Sequence, residues 1–316
     1  MEPPSGKSEL AVIIPTFNRA QSVGKTIDSV LSASLSAVEI VVVDDGSTDR
    51  TPDVLGAYDG KSIKVIKLPK REGGNHARNV GAAASSAPIL AFLDSDDTFD
   101  ASRPARLIEF YRAHPEIDAV LDSFVVERRG KRRDAIQPSG SFDQGRLTDL
   151  LITHAIPLTN STVSVRRKAF DAIGGYDVTL HRHQDRDFLL RLSAGSKIYL
   201  GSGKDVLKVQ SADSISRQGP DSVGALAAVV ARHPEFRAPC YHDLLGYLAV
   251  RGILKLLIAG HLADAYGEIR ALQDSDVLGR SFWDCLLHYR SGRNVRAAAR
   301  AAAFCDIARS SSSRAS

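Results

Sequence analysis

Four short apolar runs, at residues 10–14, 39–43, 63–68 and 89–93, alternate with polar loops and with segments of helical spacing, and that alternation constrains the fold more than any other feature. Val23, Ile27, Val30 and Leu31 recur at helical spacing after the first run. Ser47, Thr48 and Asp49 supply caps for a helix starting near Thr51 or Pro52, and residues 77–84 form another after the loop R-E-G-G-N-H. Strands and helices in this order make a parallel α/β sheet. Ligands of such sheets bind beyond the C-terminal strand ends. Here those ends carry Pro15, Thr16 and Asn18; Asp44 and Asp45; and Asp94, Asp96 and Asp97.

The run I-L-A-F-L-D-S-D-D brings three carboxylates within four residues of a buried strand. An extended D-x-D places its two carboxylates on one side, which suits a hard divalent cation such as Mg²⁺ or Mn²⁺. A solvated Asp/Ser turn is the plain alternative. The first strand lacks G-x-G-x-x-G, which disfavours a dinucleotide cofactor.

At 316 residues the chain is long enough for more than one structural unit. Its net charge of +4 is uneven: the first hundred residues hold 10 Lys/Arg and 14 Asp/Glu, the remainder 31 and 23. The later region therefore favours an anionic partner. Three widely spaced cysteines, Cys240, Cys285 and Cys305, indicate a reducing, cytoplasmic setting, and residues 1–9 read as a disordered leader without a secretory signal.

Residues 103–113 read as an amphipathic helix and 119–126 as one strand, followed by a basic cluster around Gly130 that is either a solvated hairpin tip or a contact for anionic lipid or phosphate. A strand at 162–165, a helix at 168–173, the turn G-G-Y-D and the helical stripe of Q-D-R-D-F-L-L-R-L come next, then a strand at 206–209 and a serine-containing loop. From about Val223 to Arg309 the chain reads as helical. Its segment 244–262 is strongly apolar, yet Arg251 and Lys255 favour a packed or surface helix over a membrane span. Arg290, Arg293, Arg296 and Arg300 form one basic stripe, either solvated or facing a membrane or anionic acceptor. Nucleic acid is disfavoured because no aromatic platform accompanies the charge. His181 and His183 lack a third zinc ligand nearby, and Trp283 reads as packed at a core edge.

Together V-I-I-P-T-F-N-R-A, V-V-V-D-D-G-S-T-D, G-N-H-A-R-N-V-G-A, F-L-D-S-D-D, G-G-Y-D and Q-D-R-D-F-L-L-R-L resemble the inverting family 2 glycosyltransferases of GT-A fold, over residues 9–217. The resemblance implies a Rossmann-like, mostly parallel central sheet flanked by helices, with a helical C-terminal extension. It implies a nucleotide diphosphate sugar donor, most often UDP-linked, with Mn²⁺ or Mg²⁺ bridging the phosphates. Asp44 or Asp45 would bind the base in a pocket shaped by Pro15, Thr16 and Asn18, and Arg78 would support base or pyrophosphate. Asp94 would lie near ribose and metal, Asp96 would be the main metal ligand, and Asp97 would assist.

Asp185 matches the general base of the family's acidic motif; Asp187 would be structural and Arg191 would orient the pair. Two positions depart from the pattern: Gln184 stands where Glu is common, and Gln210 where Arg or His often approaches phosphate. Lys208, Ser214 or Ser216 could meet the diphosphate instead. The expected organisation is a nucleotide-sugar half at 10–102, an acceptor and catalytic half at 103–218, helices at 219–309 and a disordered tail at 310–316. The expected acceptor is a saccharide or lipid-linked saccharide of surface glycan synthesis, with peripheral contact to the inner face of an anionic membrane and pairing of subunits through the C-terminal helices. A degenerate nucleotide-sugar-binding module and another sugar-nucleotide transferase are the rival readings.

Overall fold

A computed structural model describes residues 8–58, 63–210, 222–275 and 281–312. The described residues form two compact units. One comprises the chain up to Phe142 with Pro157–Thr179 and residues 191–210; the other joins Asp143–Ile156, Leu180–Leu190 and the chain from 222 onward.

In the first unit the expected alternation is present as β1 (Leu10–Thr16), α1 (Val23–Leu31), β2 (Val38–Asp44), α2 (Thr51–Gly56), β3 (Ile63–Lys67), α3 (Gly74–Ala83) and β4 (Ile89–Phe92). There follow β5 (Thr98–Phe99), α4 (Arg103–Ala113), β6 (Ala119–Asp122), β7 (Phe124–Arg128), β8 (Lys131–Ala135) and β9 (Gly140–Ser141). After α5 (Gln144–Ile152) of the second unit come β10 (Val163–Arg166), α6 (Arg167–Ala172), α7 (Gln184–Ser193), β11 (Ile198–Gly201) and β12 (Val206–Val209).

The main sheet has the order β3-β2-β1-β4-β10-β6-β11-β9. Its first four strands are parallel, and β10 runs antiparallel to both neighbours. This is the mostly parallel, helix-flanked sheet of the GT-A class. Register puts Thr16 beside Asp44 and Ile13 beside Phe92, so the polar ends of β1, β2 and β4 emerge along one edge. Every residue of β1 is buried, as a central strand covered on both faces requires. Lys64 and Lys67 are exposed on β3, the edge strand, where their charge discourages further pairing.

Alternate residues of the strands serve opposite faces. Leu10, Val12, Ile14, Ile40 and Val42 join Val23 and Ile27 of α1 and Leu107 and Tyr111 of α4 in one core. Ile13 and Val43 face α3, where a Cβ on Gly81 would lie 2.4 Å from Ile13 Cγ2 and 3.2 Å from Val43 Cγ2. Gly81→Ala is therefore expected to cost about 1–3 kcal/mol by overpacking, read as a lower urea midpoint at unchanged slope; an unchanged midpoint would contradict this packing.

The single strand expected at 119–126 is two strands. Ser123 breaks it: its backbone N–H donates to Gly201 O at 3.0 Å and its hydroxyl accepts from Gln137 N at 3.2 Å. The chain thereby leaves the main sheet as β6 and enters a second sheet, β5-β12-β7-β8, as β7. Alternation alone carries no signal for such a transfer. The basic tip is a two-residue turn, with Arg129 at φ 52° and Gly130 at φ 72°, a left-handed pair that closes tight hairpins.

The second unit contains α5, α7 as far as Leu190, and the helices α8 (Ser222–Arg232), α9 (His242–Ile258), α10 (Leu262–Gln273), α11 (Phe282–Leu287) and α12 (Tyr289–Ser312). Leu244, Tyr247, Val250 and Ile253 bury one face of α9. Among the described residues, no helix is long and apolar enough to cross a membrane. Trp283, expected at a core edge, is instead 71 % exposed, its ring 5.3 Å from that of Phe282. Most of residues 1–9, Ser214, Ser216 and the end of the tail lie outside the described residues.

Candidate active site

The loops after β1 and β2 are built as one structure. Asn18 adopts φ 50°, and its side-chain carbonyl accepts from Thr48 N at 2.8 Å while its own N–H donates to Ser47 Oγ at 2.9 Å. A left-handed Asn of this kind satisfies loop backbone that has no ladder partner. Pro15 and Thr16 are buried at the C-terminal end of strand β1, with Thr16 Oγ1 lacking a hydrogen-bond partner.

The two aspartates after β2 differ. Both are 2 % exposed. Both oxygens of Asp45 are engaged, by Glu72 N at 2.7 Å and Gly73 N at 2.8 Å, so this carboxylate shapes the loop before α3. Asp44 accepts from Ser47 N at 3.0 Å through Oδ1 only.

Helix α3 aims Arg78 at the end of β4. Its guanidinium donates to Asp94 Oδ1 at 2.6 Å and to Asn75 Oδ1 at 3.2 Å, and stacks over the Tyr176 ring at 5.4 Å. The G-G-Y-D turn that supplies Tyr176 is clamped to the same helix. Asn79 donates to Tyr176 O and accepts from Tyr176 N, and Asn75 donates to Asp177 O. Gly174 and Gly175 both lie near φ 70°, and a Cβ on Gly175 would sit 2.6 Å from Asn79 Oδ1. Arg191 donates to the carbonyls of Ile173 and Gly175, each at 2.8 Å, which secures this turn.

The three carboxylates after β4 are used differently. Burial pushes the Asp94 carboxyl up, but Arg78, Lys208 and Arg19 together bring it below 3.8. Asp97 is fully buried; Ser161 Oγ donates to it at 2.6 Å, Val209 N at 3.1 Å, and Lys208 Nζ lies at 3.6 Å. Burial, opposed by Lys208 and reinforced by Asp94 and Asp96, lifts it to about 7. Asp96 keeps a 20 % exposed side chain, with Arg19 at 3.9 Å. Its pKa is raised by burial and by Asp94, against Lys208 and Arg19.

That chemistry fits a divalent cation. Asp96 is a half-buried carboxylate short of positive charge, with Asp94 Oδ2 beside the oxygen that Arg78 takes, whereas both oxygens of Asp97 are already occupied. No group of three or more His, Cys, Asp or Glu suited to a metal occurs among the described residues. One or two carboxylates suffice when phosphate and water complete the shell. Ser161 and Arg19 emerge here as partners of the acidic cluster; Arg19 stood in a quoted motif, but Ser161 sits in an unremarkable T-N-S-T with no local signal.

In the second unit Asp185 opens α7 and accepts from Arg186 N at 2.8 Å. Asp187, buried, meets His233 Nε2 at 2.9 Å. His183 precedes the helix at φ 58°, its ring 5.8 Å from that of His154, while His181 is exposed.

Residues 11–174, which carry the strand ends, the Arg78–Asp94 pair and the G-G-Y-D turn, match the model for glycosyl transferase family 2. The chain belongs to this family. Among family 2 relatives, the pre-mycofactocin glycosyltransferase of Mycobacterium tuberculosis H37Rv is 30% identical over 255 residues, 75% of this chain and 51% of that protein. Validoxylamine A glucosyltransferase of Streptomyces hygroscopicus subsp. jinggangensis is 41% identical over 53% of this chain and 47% of that one. This chain thus spans about half the length of these curated relatives. The crystal structure of S. aureus TarS 1–349 in complex with UDP-GlcNAc shares the fold at TM-score 0.67 and 18% identity, covering 96% of this chain and 92% of that one.

Proposed function

We propose that this family 2 member is an inverting, metal-dependent glycosyltransferase that moves a sugar from a nucleotide diphosphate donor, UDP-linked, to a hydroxyl of a saccharide or lipid-linked saccharide. The observation that carries the reading is Asp96, left accessible and short of positive charge at the end of β4 while its neighbours Asp94 and Asp97 are committed to Arg78 and Ser161. The UDP-GlcNAc in the TarS complex supports the choice of donor.

Asp44 directs its second oxygen to an N–H of the base, Asn18 and Pro15 frame that base, and Asp45 fixes the loop beneath it. Asp96, helped by Asp94, would hold Mn²⁺ or Mg²⁺, which when bound would supply positive charge to the diphosphate leaving group. Arg78 keeps Asp94 ionised and oriented. Asp185 takes the proton from the acceptor hydroxyl as that oxygen bonds to the anomeric carbon and the bond to the diphosphate breaks. One displacement inverts that carbon.

A panel of UDP-, GDP-, TDP- and CMP-sugars, assayed for nucleotide release with Mn²⁺, with Mg²⁺ and with chelator, tests this reading. Release from one nucleotide class is expected, falling by about 10²-fold or more with chelator and in Asp96→Ala. Neither binding nor release across the panel, with candidate acceptors present, would sink it.

A further inference from the structure

The second unit gathers basic side chains around Asp185 that the transfer reading does not use. Arg186 is 93 % buried, being 7 % exposed; it donates to Leu151 O, and its Nε has no hydrogen-bond partner. Arg296 of α12 donates to His154 O at 2.8 Å, on the same turn after α5. That turn holds His154 at φ 52°, with Nε2 buried and unpartnered.

Arg251 and Lys255 of α9 are one helical turn apart and share a face. Arg251, Arg296 and Arg186 all act on His154, Arg182 and Arg186 act on His183, and Arg251 and Arg182 act on Lys255. These groups therefore occupy one electrostatic neighbourhood. Asp185 is the carboxylate within it, beside the neutral Gln184. Nearby acids are committed elsewhere: Asp187 to His233, and Asp149 to Arg146 at 2.9 Å and Tyr241 at 3.1 Å.

Among the described residues Arg186, Arg251, Lys255 and Arg296 outnumber the carboxylate beside them, Asp185, and gathering like charges in this way has a repulsive cost that folding alone does not require. Burial and the surrounding arginines keep His154 and His183 uncharged at neutral pH, His183 at about 4, so these rings add hydrogen-bonding atoms and no further charge. The N-terminus of α7 adds its own positive end. A carboxylate ligand would offset one charge; a phosphate or phosphodiester offers more charge and matches the guanidinium fork.

We infer that Arg186, Arg251, Lys255 and Arg296, with His154 and His183, form an anion subsite beside Asp185 that holds a phosphate group of the acceptor. The subsite deepens the transfer reading and rests on it. It selects phosphate-bearing acceptors and anchors them next to the group that deprotonates their hydroxyl.

The test is a calorimetric titration of the full chain with linear inorganic polyphosphate, inorganic phosphate and uncharged maltotriose. Wild type is compared with Arg251→Gln/Lys255→Gln and with Arg296→Gln, each first checked for cooperative thermal unfolding. Arg251 and Lys255 carry the test because Arg186 is buried and its loss endangers folding. Polyphosphate is expected to bind wild type at low salt, about tenfold more weakly in the double variant and more weakly as salt rises. Maltotriose should not distinguish the proteins.

Equal polyphosphate affinity in wild type and both variants overturns the subsite. A parallel sedimentation assay uses phosphatidylglycerol and phosphatidylcholine vesicles; binding confined to the anionic vesicles assigns these cations to a lipid headgroup and also overturns it. Nucleotide release across the full sugar-nucleotide panel with candidate acceptors, measured separately on wild type, keeps the two readings apart. Variant-sensitive polyphosphate binding without release supports the subsite while removing the transfer reading.

Discussion

Asp185→Asn is expected to slow sugar transfer by about 10²–10⁴-fold while leaving donor binding within about twofold, because a positioned base is worth that much and the amide cannot take a proton. The substitution is nearly isosteric. Asp185 sits in the first turn of α7, where its Oδ1 accepts from Arg186 N at 2.8 Å, and Asn keeps that acceptor. A fall in rate is therefore not a folding effect. Loss of the negative charge also removes the carboxylate that acts on Arg186, so an increased affinity for polyphosphate is expected alongside the loss of turnover. The measurement is single-turnover transfer with donor affinity determined separately. Transfer at the wild-type rate would remove Asp185 from the chemistry. A loss confined to donor affinity would do the same, since a base acts after the donor is bound.

How far the sequence showed these features depends on the range of the interactions involved. The strands β1, β2, β3 and β4 and the polar residues at their ends were legible because burial on two faces demands short continuous apolar runs. Asp94, Asp96 and Asp97 were legible as a cluster, but not their separate uses. Those depend on Arg78, Ser161 and Val209, which lie 16, 64 and 112 residues away from their partners. Ser123 as a crossing between sheets was likewise hidden, since its partners Gln137 and Gly201 are distant in sequence. The arginine stripe was visible on α12, yet Arg296 leaves it to meet His154 O, 142 residues away. Periodicity reports which face of an element is apolar. It does not report which distant group a polar side chain will satisfy.

Asp122→Asn is expected to cost about 3–5 kcal/mol of stability in the first unit, because it breaks a buried ion network from one side only. Arg103 and Asp122 are both fully buried; Arg103 meets Asp122 at 2.8 Å and Asp205 at 2.6 Å, and Arg106 meets the same two carboxylates at 2.7 and 2.6 Å. Burial raises the Asp205 carboxyl, and Arg103 and Arg106 more than reverse this, holding it below 3.8. Its share of stability is complete above pH 3.8 and is lost as pH falls through the lower folded value. With Asn at 122, two guanidinium groups share one carboxylate, and the fully buried Arg103 loses one of its two ion-pair partners. Little space exists for rearrangement: a Cβ on Gly201 would already lie 2.0 Å from Asp122 Oδ1. Arg103→Met/Asp122→Leu removes a charge of each sign and leaves Arg106 paired with Asp205, so it is expected to be less destabilising than Asp122→Asn alone. Urea unfolding of both variants decides the matter. A double variant that loses as much as or more than the single would show that packing, not charge balance, sets the cost. The site feels the outcome as well, because Asp205 precedes β12, whose Lys208 and Val209 hold Asp97 behind Asp96. Partial loosening of this network is therefore expected to weaken donor binding before the first unit unfolds.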